Sequence, residues 1–413
     1  MLSASATFSK QATTFSPLWF YIVLFKFGAG IHYAMIAVLG AQILPFWLVG
    51  LCVSYASLIE LVCDIPAGFF LEKYGYLRML RLTTILFLCA AGALLFGLTP
   101  LTYFISITFG AFGWLFFTPG INAYLLAHGA VPIIGRLFGI LRASEGAGIM
   151  FATIGLPFFV RLPVPLLGLV MMYPLLGALA ALAIGTRFHM PSTLPKKIQT
   201  KQAAVKASFR EIQSAFRHLH PVGTALGLYM VCIATFYGFI WFIYPLLINA
   251  GTAPEVLSAS MTMLEFAMII AGFTVARLAD SARKKQLIFA GLGIVTAMSV
   301  LLGFTFHPIL IALCFVLSFG DELVRTTLWA WLDAKAEKNE QHGVVTGVIN
   351  FLEDLGWTLG PTIAGFLFAS MGASTTLRIA GVIMVVSAFT TLALLIPASV
   401  PRIPPQKKSL TAY

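Results

Sequence analysis

The chain has 413 residues, 59% of them hydrophobic and only 10% charged, with 36 Phe and a mean hydropathy of +0.94. Soluble domains run at about 45–50% apolar and about 25% charged residues, so this chain has too little polar surface for a water-facing globule; disordered, collagen-like and disulfide-scaffold classes fail on the same numbers. The formal charge of +11 sits in short basic segments between apolar runs, which points to anionic lipid headgroups and away from nucleic acid.

A helix crosses the hydrocarbon with about 20 apolar residues. The N-terminus, Met1–Ser16, is polar and leads directly into a run of full spanning length, so no cleaved signal peptide is expected. Twelve spans are predicted, at 18–41, 47–71, 79–98, 101–126, 135–160, 165–186, 222–249, 256–279, 286–305, 309–334, 344–370 and 375–396. Turn chemistry separates them at Leu44-Pro45, Gly97–Pro100, Leu162–Pro165, Thr252–Pro254 and His307-Pro308. One polar connection, Arg187–Pro221, holds seven Lys or Arg and divides the chain. The expected organisation is an N-terminal six-helix bundle (1–186), a cytoplasmic basic linker (187–221), a C-terminal six-helix bundle (222–396) and a cytoplasmic tail (397–413). The five Cys all fall in apolar runs without CxxC spacing, so neither a disulfide framework nor a metal site is indicated, and no cofactor is expected.

Basic residues orient the bundle. The termini and the loops after even-numbered spans, with the span ends that border them, hold 21 of the 26 Lys and Arg, the corresponding loops and ends after odd-numbered spans hold Arg161 and Arg378, and Lys26, Arg142 and Arg325 lie deep within spans. Both termini are therefore expected in the cytoplasm, in a multi-pass protein of the plasma membrane (a bacterial inner membrane).

The halves repeat at an offset of 208 residues. Gly135, Gly139, Glu145 and Gly148 of the fifth span recur as Gly343, Gly347, Glu353 and Gly356 of the eleventh, and Glu72 recurs as Asp280 in the second basic loop of each half. An even number of spans per copy makes the copies parallel, related by an axis along the membrane normal.

Asp64-Ile-Pro-Ala-Gly68-Phe-Phe-Leu-Glu72-Lys73-Tyr-Gly75-Tyr-Leu-Arg78 resembles the major facilitator superfamily signature between helices 2 and 3. Gly68, Glu72, Lys73 and Gly75 match it in position, while Tyr76 and Leu77 replace its basic pair; the second-half copy keeps Asp280, Arg283 and Lys284 but loses the glycines. The resemblance implies an all-α integral membrane fold, twelve transmembrane helices in two pseudo-symmetric six-helix bundles. It also implies a cytoplasmic gate at Asp64, Gly68, Glu72, Lys73, Gly75, Arg78, Asp280 and Arg283; Lys73 and Arg78 read equally as interfacial anchors. Within the superfamily the pattern is similar to drug/metabolite:proton antiporters, but helix 4 lacks their Arg and helix 5 their Gly-Pro motif, which instead has a counterpart at Gly360-Pro361 in helix 11.

A charge at the bilayer centre costs at least about 2.5–3.5 kcal/mol, yet away from their ends the spans carry eight acids against three bases. Arg142 can meet Glu145 at i,i+3, and Arg325 can meet Asp321 or Glu322. Glu265, Glu353 and Asp354 have no base on their own helix. Carboxyls of this kind suit proton exchange, so Glu265, Glu353, Asp354, Asp321 and Glu145 are the expected coupling residues; a neutral acid hydrogen-bonded to a neighbouring helix is the alternative for Glu265. His32, Asn122, Tyr124, Tyr237, Trp241, Trp329 and Asn350 are expected at the solute site, on helices that the resemblance places around the central cavity; His32 reads either as a relay or as a hydrogen-bonding residue. Tyr237, Trp241 and Tyr244 form one helical stripe, either cavity wall or lipid face.

The expected function is secondary active transport of a small solute by alternating access, as a proton-coupled efflux antiporter in the lipid bilayer, acting as a monomer. Import or uniport of a metabolite, and a non-transporting sensor, are the alternatives. HExxH, GxSxG and GxxxxGK[ST] are all absent from the sequence, so neither an enzyme nor an ATP-driven pump is expected.

Overall fold

The structure, a computed structural model, describes residues 14–128, 134–188, 221–279, 284–303, 307–336 and 342–396. Most of the basic linker (189–220), the tail from residue 397, and Asp280 and Arg283 lie outside the described residues, as do the side-chain surroundings of Asp64, Gly68 and Glu72. In hydrocarbon every backbone N–H and C=O must be satisfied internally, which helix achieves within one segment; among the described residues there is no strand.

In the first half α1 spans Ser16–Ala41, α2 Phe46–Tyr74, α3 Tyr76–Leu94, α4 Pro100–His128, α5 Ile134–Ile154 and α6 Val164–Phe188. In the second, α7 spans Pro221–Asn249, α8 Pro254–Ala279, α9 Lys284–Leu302 and α10 Ile309–Ala336. The final stretch, His342–Leu395, has non-helical dihedrals at Gly372 (φ 76, ψ 174) and divides there into α11 (342–371) and α12 (373–395). The fifth predicted span is broken rather than continuous, because the one-turn helix Leu156–Phe159 follows α5 beyond Gly155. Proline opens α4, α7 and α8, where its missing N–H would have had no helical partner. Between α2 and α3 the chain turns on Gly75 alone, at φ 88, a conformation that side chains resist.

Among the described residues nine helical stretches are apolar enough to span by composition, one of them holding parts of both α11 and α12. The two long helices that fall short are α5, with Arg136, Arg142 and Glu145, and α10, with Asp321, Glu322 and Arg325. Arg142, Glu145, Asp321, Glu322 and Arg325 of these two helices lie near their midpoints.

The repeat is visible in atomic contacts. A Cβ on Gly148 would stand 2.5 Å from Val23 O, 2.6 Å from Lys26 Cβ and 3.1 Å from Phe27 N. A Cβ on Gly356 would meet Val231 O, with Ala234 Cβ at 2.8 Å and Thr235 N at 3.1 Å. Each member of the second set lies 208 residues after its counterpart in the first. Small residues let these backbones approach, as helix pairs in lipid require. Thus α1 packs on α5 as α7 packs on α11; α2 on α4 and α3 on α4 likewise recur as α8 on α10 and α9 on α10.

The halves meet mainly along α2 with α11 and α5 with α8, and α1 touches α7. Twelve spans return residues 14 and 396 to one face, called here the terminal face. Toward the opposite face, Thr362 donates to Ser54 Oγ at 2.7 Å and Ser258 donates to Thr153 O at 2.6 Å. Gly365 Cα lies 3.0 Å from the Cβ position of Gly50, so α2 and α11 touch backbone to backbone there. Toward the terminal face, Gly139 and Gly272 bring α5 and α8 together, a Cβ on Gly139 standing 3.1 Å from Gly272 O. Tyr33 and Trp241 are themselves repeat mates, and their rings meet edge to face at 5.4 Å. A residue that touches its own mate lies on the pseudo-two-fold axis.

Candidate functional site

At 1.5 Å of rise per residue, Lys26, Arg142, Glu145, Glu265, Asp321, Glu322, Arg325 and Glu353 all lie within about 5 Å of the midpoints of their helices. Charges at that depth need partners, and the fold supplies them from several helices. Glu145 of α5 is held on both oxygens: Lys26 Nζ of α1 stands 3.5 Å from Oε1, and Arg142 Nη1 is 3.2 Å from Oε2. The Lys26 ammonium also lies over the rings of Trp114 at 4.4 Å and Phe117 at 4.7 Å on α4, which lets an aromatic face offset part of its lost hydration.

In the second half Arg325 of α10 donates to Glu353 Oε1 of α11 at 3.0 Å and stands 3.6 Å from Asp321 Oδ2. Two hydroxyls of α7 complete the Asp321 shell, Tyr229 donating to Oδ1 at 2.8 Å and Tyr237 to Oδ2 at 3.1 Å. Glu322 accepts from Thr326 Oγ1 at 3.4 Å. Glu265 of α8 has no ion pair among the described residues; Lys26 and then Glu145, both of the other half, are the charges that act on it most strongly. Arg142 is likewise influenced by Glu322 and Glu353 across the interface. Its side chain is 47% exposed. Among these side chains five carboxyls face three cations.

Of the expected coupling residues, Glu145, Glu265, Asp321 and Glu353 are brought together. Glu353, which has no base on its own helix, takes its cation from a neighbouring one, as Arg325. Asp354 is half-buried beside it, its carbonyl accepting from Thr358 Oγ1 at 2.9 Å. Of the expected solute residues, Tyr237 stacks on Trp357 at 6.5 Å besides its bond to Asp321, and Trp241 lies on the axis. Trp329 is half-buried on α10 and Asn350 is exposed on α11. His32 faces the interior of the first half: its Nε2 is 3.0 Å from Ser106 Oγ, and it borders, with Tyr33, Ser57 and Glu60, a cavity of about 20 Å³. Tyr124 is buried within that half, edge-on to Phe15 at 6.0 Å, one turn from the end of α4; Asn122 is half-buried on the same helix. Tyr244 leaves the aromatic stripe for the core. In the loop motif Lys73 is exposed, 5.2 Å above the Tyr74 ring, and Arg78 is exposed. Sequence reasoning missed Tyr229, Trp114 and Trp357. The available signal for Tyr229 was a hydroxyl in mid-span, which needs an acceptor. Among the described residues no cluster is placed to hold a metal.

The sequence matches the profile of the Major Facilitator Superfamily over residues 18–361 and again over 226–412. The chain belongs to the Major Facilitator Superfamily. It is a multi-pass membrane protein and a secondary transporter of small solutes, and membership implies a non-enzymatic role. A sequence search of curated proteins found no match. Among solved structures, the human organic anion transporter MFSD10 (TETRAN) superposes with a TM-score of 0.66 at 13% identity, covering 91% of this chain and 98% of that one. A bacterial homologue of the human drug peptide transporters PepT1 and PepT2 gives 0.65 at 16% identity, covering 92% and 97%. A structure from work on substrate recognition in proton dependent oligopeptide transporters gives 0.66 at 16%, covering 93% and 98%. At these identities the likeness is one of fold.

Proposed function

We propose that this superfamily member exports a small cationic or amphipathic solute from the cytoplasm in exchange for protons. Its two bundles, 1–186 and 222–396, rock about the midplane network, with the 187–221 linker and both termini in the cytoplasm of a bacterial inner membrane. The observation that carries the reading is the charge balance: five carboxyls against three cations leave a deficit of two positive charges. In a low dielectric that deficit favours taking up protons or a cationic solute. Division of the network between the halves gives each occupant a different environment in each state, as coupling requires. Tyr237, Trp241, Trp329 and Asn350 form the solute wall, Glu265 and Glu353 exchange charge, and Lys73, Gly75 and Arg78 belong to the cytoplasmic gate. The protein works as a monomer.

The test is purified protein in liposomes with an imposed pH gradient, offered a panel of labelled cations, neutral solutes and anions. Gradient-dependent flux of a cation, lost in Glu265→Gln, is the expected result. Flux indifferent to the gradient, or confined to anions, overturns the proposal.

A further inference from the structure

The two halves neutralise their shared glutamate with cations from non-equivalent helices. Glu145 and Glu353 are repeat mates, yet Lys26 on α1, the cation that another helix brings to the first beside Arg142 of its own helix, has Ala234 as its mate, and Arg325 on α10, the cation that another helix brings to the second, has Phe117 as its mate. Local geometry is otherwise preserved: Lys26 Cβ and Ala234 Cβ take the same place against Gly148 and Gly356, and Phe117 borders the first pair, its ring 4.7 Å from Lys26 Nζ. The swap makes the half-sites chemically unequal. Arginine keeps its proton at any pH a protein survives, whereas a lysine ammonium can give one up. Arg325 is engaged by two carboxylates, one of which accepts from two tyrosines. Lys26 meets a single carboxylate at 3.5 Å and two ring faces.

We propose that Lys26, Glu145 and Glu265 form the exchange point of the transport cycle, while Arg325 with Asp321 and Glu353 is a fixed counter-site. The inference rests on the proton-coupled reading above. The charged groups that face Lys26 are Glu145 and Arg142 of α5 and Glu265 of α8. With Arg142, which holds Glu145 Oε2, the fully ionised group is neutral; breaking one Lys26 N–H bond and passing the proton to water leaves one net negative charge, which one monovalent cation or the returning proton brings back to zero. Transfer within the pair is balanced: a Lys26 N–H bond breaks, a Glu145 O–H bond forms, and the pair stays neutral overall. Proton and cation thus compete for one vacancy, and an arginine at position 26 would freeze it.

Trp114, under the Lys26 ammonium, reports on this charge without any solute. The experiment is a fluorescence titration of the full chain in lipid nanodiscs from about pH 5 to about pH 10, with the signal of Trp114→Phe subtracted. A titrating step is expected in the wild type and in Arg325→Lys. It is expected to vanish in Lys26→Arg, and in Lys26→Ala/Phe117→Arg, which rebuilds the second-half arrangement in the first. Absence of the wild-type step, its survival in Lys26→Arg, or its loss in Arg325→Lys overturns the inference. Should Lys26→Arg not fold, the double variant carries the same comparison. Failure of gradient-driven flux in liposomes with the step intact would instead remove the proton-coupled reading, so the two failures are distinguishable.

Discussion

Replacing Gly148 or Gly356 by alanine tests two close helix contacts that the repeat shares. The Cβ of Gly148→Ala would stand 2.5 Å from Val23 O and 2.6 Å from Lys26 Cβ, whereas carbon and oxygen sit comfortably at about 3.3–3.6 Å. Backbone atoms cannot swing aside, so α1 and α5 must part by roughly 1 Å. A gap of that size forfeits about a quarter to a half of each contact well along the seam, and overpacking of this kind costs about 1–3 kcal/mol. Gly356→Ala does the same to α7 and α11. Gly293 of α9 is the control, because a Cβ there meets nothing within 4 Å; alanine at a helical glycine with room to spare stabilises by about 0.4–1 kcal/mol. Thermal unfolding of the purified variants by intrinsic fluorescence should therefore move down for Gly148→Ala and Gly356→Ala and hold or rise for Gly293→Ala. Equal midpoints for Gly356→Ala and Gly293→Ala would refute the reasoning.

Ser54→Cys with Thr362→Cys, in a background free of other cysteines, should form a disulfide under mild oxidation, because the two hydroxyl oxygens lie 2.7 Å apart. Flux should stop and return with reductant; full flux in the crosslinked protein would contradict rocking at that face. Arg325→Met should cost about 3 kcal/mol by stranding Glu353 and Asp321, and adding Glu353→Gln should recover part of the lost thermal stability. Tyr237→Phe removes one of the two hydroxyl donors to Asp321 and should lower stability by about 1–2 kcal/mol, read as a lower unfolding midpoint.

The architecture was legible because hydropathy and turn chemistry are local. The break at Gly372 falls in the predicted gap between residues 370 and 375, and the 208-residue register, found from four glycine and glutamate positions, holds down to single atoms at Val23 and Val231. The site was legible only within a helix. Arg142 with Glu145 and Arg325 with Asp321 follow from helical spacing. Lys26 with Glu145 and Arg325 with Glu353 cross between helices, and which faces meet is decided by packing that one sequence does not display. His32 illustrates the same limit: its place in an apolar run is local information, whereas its turn toward Ser106 depends on how α1 and α4 are rotated.

Gly372 joins α11 to α12 through one residue, so movement of either helix reaches the other through a single pair of backbone dihedrals. The outer surface of α12 bears Val382, Val386 and Phe389, 57–69% exposed and suited to acyl chains, while α11 carries Glu353 at the molecular centre. One joint thus links a helix that faces lipid to a helix that carries a carboxylate. Membrane thickness and lateral tension thereby become a mechanical load on the transport cycle.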